Sequence, residues 1–185
     1  MGMRKASPKE KWVKKREEEF LAAHEEHADA LFRHCLLRVR DRDVAKDIVQ
    51  EAFSRTWLYL SEGKKIDYIR AFLYRVANNL IVDGSRRKKS ASLDSMMDED
   101  GYEPADESIR PAIDTPALKE ALKLLDELDE NYRTVITMRF IDELSPKEIA
   151  RALGVSENVV SVRIHRGIER LSKGMRKDLP PQSVT

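Results

Sequence analysis

The sequence predicts an all-α fold, two small helical domains joined by a flexible acidic linker, and three observations predict it. Charged residues make up 36% of the 185 positions while glycine and proline number only 7 each, so the usage is weighted toward good helix formers. Apolar residues recur at three-four spacing through most of the chain, and nothing alternates with period two long enough to require a strand. The net charge of +1 hides a segregation: residues 1–92 carry 21 bases and 14 acids, residues 93–116 one base, Arg110, and eight acids, and residues 117–185 12 bases and 11 acids.

Residues 1–16 hold seven bases and one acid with few apolar positions, and read as a solvated or fraying basic tail. From there the first domain is expected to run over residues 17–92. Its first helix carries Phe20, Leu21, Leu31, Phe32, Cys35, Leu36 and Val39 as an imperfect stripe. In the second, DRDVAKDIVQEAFSRTWLYL, Val44, Ala45, Ile48, Val49, Ala52, Phe53 and Trp57 fall on one side, with Lys46, Asp47, Gln50, Glu51, Ser54 and Arg55 on the other. After the loop SEGKKID a third stripe, Ile69, Phe72, Leu73, Val76, Ala77 and Leu80, ends in the basic run Arg86, Arg87, Lys88, Lys89.

Residues 93–116 set Pro104, Pro111 and Pro116 among Asp, Glu and Ser. Such a segment has too little apolar surface to offset its ordering entropy, which makes it the linker. The second domain is expected over residues 117–177, opening with Leu118, Leu122, Leu125 and Leu128 and continuing with Val135, Ile136, Met138 and Phe140 up to a break near Asp142. Residues 178–185 remain as a tail.

The most specific local signal is SPKEIARALGVSENVVSVRIHRGIERL, residues 145–171. Ser145 and Glu148 form a capping box with Pro146 at the first helical position. Gly154 supplies the positive φ of a sharp turn, and Ser156 caps the next helix. In that helix Val160, Ile164, Gly167 and Leu171 share a buried face, leaving Glu157, Asn158, Ser161, Val162 and His165 to face outward. Residues 151–177 carry seven bases against two acids, which suits phosphate contact. The pattern is a helix-turn-helix whose second helix enters a major groove, and a solvated helical hairpin is the bland alternative.

Several function classes are excluded. The single Cys35 cannot form an intramolecular disulfide, and no apolar run approaches the roughly 20 residues that span a bilayer. The basic start is followed by an amphipathic pattern in place of a signal peptide's apolar core, so a cytoplasmic protein without membrane insertion is expected. His24, His27, His34 and Cys35 are plausible metal ligands, but on one helix the first and last lie about 16 Å apart, and no metal is expected. There is no phosphate-cradling glycine loop, no zinc-protease histidine pair and no CxxC, so neither an enzyme nor a cofactor is expected.

DIVQEAFSRTW followed by AFLYRVANNLIVDGSRRKK resembles the polymerase-binding and promoter-melting helices of the extracytoplasmic-function (ECF) sigma factors of bacterial RNA polymerase. LDELDENYRTVITMRFIDELSPKEIARALGVSENVVSVRIHRGIERL likewise resembles that family's fourth conserved region. The resemblance implies an alternative sigma factor that binds core polymerase through its largest and second-largest subunits and directs initiation at specific promoters. It places Asp47, Gln50, Glu51 and Ser54 on the polymerase. Lys64 and Lys65, Tyr68, Tyr74, Arg75, Asn78, Asn79, Asp83, Arg86 and Arg87 would read the minus-ten element and hold its unpaired strand. The residues for the minus-thirty-five element would be Ser156, Glu157, Asn158, Ser161, Val162, Arg163, His165 and Arg166.

A cognate anti-sigma factor is the implied regulator, and the acidic linker would run through the basic interior of the polymerase. The family's extra region between the two domains and a long acidic amino-terminal region are not found, as in the compact alternative class. Two positions depart from the family pattern: Lys46 stands where an acidic residue is common, and Asn78 where an arginine is common. The competing reading is a helix-turn-helix repressor that binds palindromic DNA without polymerase.

Overall fold

A computed structural model describes residues 8–94 and 116–177. The acidic segment of residues 95–115 and the terminal residues 1–7 and 178–185 lie outside the described residues. The chain divides into two compact units, with the boundary between Glu103 and Pro104, inside the acidic segment. Every element among the described residues is helical.

The first unit contains α1 (Pro8–Val39), α2 (Arg42–Ser61) and α3 (Ile69–Asp94). Between α1 and α2 only Arg40 and Asp41 make the corner. Arg40 takes the left-handed conformation, φ 56°, with its amide donating to the Leu36 carbonyl at 2.8 Å, which ends α1 in the way a glycine usually does. Asp41 is extended, and its carboxylate accepts from the amides of Asp43 and Val44, both at 3.0 Å. Two orphan donors at the start of α2 are thereby satisfied.

So tight a corner folds α2 back antiparallel along α1. The seam is aromatic: Phe20 meets Phe53 edge-on at 6.0 Å and Trp57 at 5.2 Å, and His24 lies 4.6 Å from Phe53. Ala23, Ala45, Ala52, Ala71 and Ala77 are all buried, and their small side chains let the three helices approach closely. Leu31, His34, Cys35, Leu60, Leu73 and Tyr74 fill the interior, with the His34 and Tyr74 rings in T-shaped contact at 5.0 Å. The histidines and Cys35 are thus parts of helix packing. Among the described residues no group of three His, Cys, Asp or Glu side chains is placed to hold a metal ion.

Two local outcomes differ from the pattern reading. The first helix begins at Pro8 and takes in residues expected to fray, because Trp12 and Arg16 continue the Phe20 stripe back by single helical turns. On α3 the buried set is Ala71, Leu73, Tyr74, Ala77, Asn78 and Ile81, while Ile69, Phe72, Val76 and Leu80 are half-buried. The buried face is therefore rotated from the purely apolar stripe.

The second unit contains α4 (Pro116–Asp126), α5 (Glu130–Phe140), α6 (Pro146–Leu153) and α7 (Glu157–Lys177). Arg133 donates to the carbonyls of Asp126 and Leu128 at 2.8 and 3.2 Å, occupying carbonyls that the end of α4 leaves open. Val135, Ile136, Met138, Leu144, Ile149 and Val160 form the core. Phe140, at the end of α5, is 57% exposed, since the helix stops before a further turn could cover it.

The helix-turn-helix forms as its residues dictate. The Ser145 amide donates to Glu148 Oε2 at 2.9 Å and the Glu148 amide to Ser145 Oγ at 3.3 Å. Gly154 sits at φ 67°, ψ 33°, and the Val159 amide donates to Ser156 Oγ at 3.3 Å. Glycine also sets how α7 lies on its neighbours: a Cβ at Gly167 would come within 2.8 Å of Ile136 Cγ1, and one at Gly174 within 2.9 Å of Leu124 Cδ2.

Adding a side chain at the helical glycines Gly167 and Gly84 should therefore act with opposite sign. Gly167→Val should destabilise the second unit by about 1–3 kcal/mol through overpacking against Ile136. At Gly84 a Cβ meets nothing within 4 Å, so Gly84→Ala should stabilise the first unit by about 0.5–1 kcal/mol through helix propensity alone. Urea unfolding of the full chain, followed by residue-resolved hydrogen exchange, measures both.

Candidate functional site

Three surfaces carry the residues singled out by the sequence, two on the first unit and one on the second. On α2, burial of Ala45, Ile48, Ala52, Phe53, Thr56 and Leu60 turns Asp47, Gln50, Glu51 and Ser54 outward, and all four are exposed. Glu51 pairs with Arg55 at 2.7 Å, and Lys46 with Asp43 at 3.1 Å. Both pairs are exposed and contribute little to stability.

Gln50 and Ser54 also stand on the rim of a groove of about 650 Å³ between α1 and α2. Its apolar floor includes Phe20, Phe32, Val49, Phe53 and Trp57, with Glu17 and Lys46 among the polar residues at its edge. Leu21, another lining residue, is largely exposed. The α2 face thus combines a polar stripe with an adjacent apolar cleft, an arrangement suited to receiving helical protein surface.

The second surface begins in the loop between α2 and α3. Gly63 turns the chain at φ 85°. Lys64 pairs with Glu62 at 2.5 Å and lies over the Tyr59 ring at 4.8 Å, and Tyr59 packs on Phe72 at 5.1 Å. Lys65 pairs with Asp67 at 2.8 Å. The hydrogen bond from Lys64 to Glu62, and that from Lys65 to Asp67, raise the pKa of each lysine above its ordinary value, with the attraction of the same carboxylates adding to it. Both therefore stay cationic through and beyond the neutral range.

Tyr68, 51% exposed, opens a stripe that continues along α3 through Phe72, Arg75, Asn79, Asp83 and Arg86. These positions are three or four residues apart and so share one helix face, and all except half-buried Phe72 are exposed. Arg87 is exposed beside them.

Tyr74 and Asn78 do not join this stripe. Tyr74 is 0% and Asn78 6% exposed. Asn78 Nδ2 donates to the Tyr74 carbonyl at 2.8 Å, and its Oδ1 accepts from Arg38 at 3.2 Å. The expected surface role of these two residues is corrected accordingly: in the folded chain both sit in the bundle, and Asn78 ties α3 to α1. A buried amide is tolerated when both of its ends are bonded in this way.

The third surface is the amino-terminal half of α7. Ser156, Glu157, Asn158, Ser161, Val162, His165 and Arg166 are exposed and Arg163 is half-buried. Ser161 Oγ donates to the Glu157 carbonyl at 3.0 Å, and Ser156 Oγ is occupied with capping. Groups on this face that can meet a ligand include the carboxylate of Glu157, the amide of Asn158, the imidazole of His165, the guanidinium groups of Arg163 and Arg166, and the apolar surface of Val162 and Val159, the latter also exposed.

Comparison with known proteins places this geometry. Residues 23–91 match the family model described as Sigma-70 region 2, and residues 118–171 that of Sigma-70, region 4. The ECF RNA polymerase sigma factor SigW of Bacillus subtilis is 32% identical to the chain, over 81% of the chain and 85% of SigW. The chain belongs to the ECF RNA polymerase sigma factors.

A second relative of this ECF sigma factor, SigL of Mycobacterium tuberculosis, is 29% identical over 81% of the chain and 85% of SigL. Among solved structures, CnrH in complex with the cytosolic domain of CnrY matches 88% of the chain and 91% of its own length at 25% identity, with a TM-score of 0.63. The sigma factor RpoE of Bartonella quintana, in complex with the anti-sigma factor NepR, shares the fold at 19% identity and a TM-score of 0.67, over 88% of the chain and 99% of its own length. No helix of the described residues is long and apolar enough to cross a membrane.

Sequence reasoning about this sigma factor missed the groove and the Tyr59–Phe72 pair. Both were signalled by residue type, since Phe20 is a large aromatic within α1, and Trp57, Tyr59 and Phe72 are large aromatics at the facing ends of α2 and α3. Which of them meet across helices is a tertiary fact that periodicity within one helix does not carry.

The contrast between neighbours on α3 is testable. Asn78→Ala should destabilise the first unit by about 1–3 kcal/mol, because it leaves buried polar groups unpaired. Asn79→Ala should stay within about 0.5 kcal/mol of wild type, as exposed substitutions do. Thermal unfolding of both variants in the full chain decides it, and equal melting of the two would contradict the burial described.

Proposed function

We propose that this ECF sigma factor docks on core RNA polymerase through the α2 face and the α1–α2 groove, reads the minus-thirty-five element with α7, and holds the unpaired minus-ten strand along the loop and exposed stripe of α3. The observation that carries the reading is that stripe. Tyr68 offers an aromatic face for a base, Lys64, Lys65, Arg75, Arg86 and Arg87 offer charge to the phosphates, and Asn79 and Asp83 offer hydrogen bonds between them. Single-stranded nucleic acid is held by that combination of stacking and cations.

Opening a promoter costs a few kcal/mol per unstacked base, so a protein surface must compensate by capturing what is unpaired. In this reading Tyr74 and Asn78 act indirectly, by fixing the register of α3 so that Arg75 and Asn79 face the strand. On α7, Asn158, His165 and Arg166 contact base edges or the backbone of the major groove, and Val162 and Val159 suit the methyl group of thymine. The sigma factor contributes binding and positioning, and phosphoryl chemistry belongs to the polymerase.

Regulation follows the same surfaces. CnrH is solved with the cytosolic domain of CnrY, and RpoE of Bartonella quintana with an anti-sigma factor. By that likeness we extend the reading to a cytoplasmic anti-sigma segment that competes with the polymerase for the first unit.

Promoter-dependent transcription with purified bacterial core polymerase, on fragments of the source genome, tests the reading. The wild-type chain should produce discrete start sites. A chain with Asp47, Gln50 and Glu51 all replaced by alanine should lose at least about tenfold in transcript at limiting protein, as expected when roughly 1.4 kcal/mol or more of docking energy is removed. Start sites that are unchanged in the variant would overturn the assignment of this face, and duplex binding by the chain alone at a palindrome would favour a repressor.

A further inference from the structure

The amino-terminal turns of α1 have no place in the function just described, yet they are folded against it. Trp12 Cζ2 lies 4.0 Å from where a Cβ on Gly63 would stand, so the edge of its ring, itself 39% exposed, lies against the turn that opens the loop after α2. Arg16 stacks on that ring with its guanidinium carbon 5.6 Å from the centroid and pairs with Glu19 at 3.0 Å. The positive charge of Arg16 is felt at Lys65 on the loop itself. Four residues further along, Phe20 enters the aromatic seam with Trp57. Residues 12, 16 and 20 thus form one column, spaced by single helical turns, that runs from the seam onto the loop.

On its other side the loop is held by Lys64 over Tyr59 and by Tyr59 on Phe72. Between these two contacts residues 62–65, 67 and 68 are exposed, and Ile66 is only half-buried. The loop has little buried surface of its own, so its shape depends on what braces it.

We propose that Trp12, with Arg16 stacked on it, is a positioning residue that braces the loop of residues 62–68 in the shape that offers Lys64, Lys65 and Tyr68 to the unpaired promoter strand. The brace removes ordering entropy that strand capture would otherwise have to overcome. The proposal rests on the strand-holding role given to this loop above.

The test uses the full chain with Trp12→Ala, Trp12→Leu and Trp12→Phe, and two readouts. Amide exchange in residues 62–68 of the free chain should quicken about tenfold in Trp12→Ala and Trp12→Leu, with the interior of α2 and α3 unchanged. With core polymerase at saturation, the rate of promoter opening should fall about three- to tenfold in both variants without loss of core affinity, and Trp12→Phe should restore both readouts. Exchange and opening at wild-type rates in Trp12→Leu would overturn the proposal. So would faster exchange throughout the first unit in both Trp12→Ala and Trp12→Leu, which would make Trp12 a general stability residue. Failure of the wild-type chain to open any promoter with core polymerase would instead sink the strand-holding role, and the exchange data would still decide whether Trp12 braces the loop.

Discussion

The antiparallel seam between α1 and α2, closed by Phe20, His24, Phe53 and Trp57, is the contact on which the rest of the first unit depends. Once it forms, Ala45, Ile48, Ala52 and Leu60 must turn inward. Helix geometry then leaves Asp47, Gln50, Glu51 and Ser54 no place except the outer face. The seam is not fully closed, and its open side is the groove that Gln50 and Ser54 border. At its far end it delivers the α2–α3 loop beside Trp12. The corner at Arg40 and Asp41 keeps this register, because a two-residue connection with both helix ends satisfied leaves no slack for sliding.

The second unit reaches its geometry by other means. Its helices are short, and the turn between α6 and α7 is set by directional bonds: the reciprocal Ser145–Glu148 cap, the left-handed Gly154 and the Ser156 cap. Area comes from close approach at Gly167 and Gly174. At the end of α4, Arg133 fills the open carbonyls. Asp129, which makes no side-chain cap for α5, instead pairs with Arg170, whose guanidinium lies 4.4 Å over the Tyr132 ring. These contacts hold the carboxy-terminal half of α7, while its amino-terminal half is anchored through buried Val160 and keeps its other face exposed.

The three helices of the first unit were legible from apolar periodicity, and the helix-turn-helix from the signals at Ser145, Gly154 and Ser156, whereas the break that separates α4 from α5 at residues 127–129 was not, because the apolar pattern runs on across it. The outward faces of α2 and α7 were legible for the same reason that amphipathic helices are: polar and apolar residues separate cleanly there. On α3 they do not separate. Tyr74 and Asn78 are polar by type and were assigned to the surface, whereas the Arg38 bond and the amide's own bond to the Tyr74 carbonyl make burial of Asn78 affordable. Residues 8–16 were assigned to a tail by their charge. Trp12 stacks with Arg16 and lies against Gly63, a residue distant in sequence. What escaped the sequence in these last two cases is a pairing between helices, which no single periodic pattern encodes.

The most direct test of the central claim, that this chain and core polymerase together open DNA, is permanganate reactivity of thymines on a promoter fragment from the source genome. The account predicts reactive thymines around the minus-ten element only when chain and core polymerase are both present, and none with either alone. Reactivity that does not need the chain, or thymines that stay protected with both present on a fragment the chain binds, would contradict it.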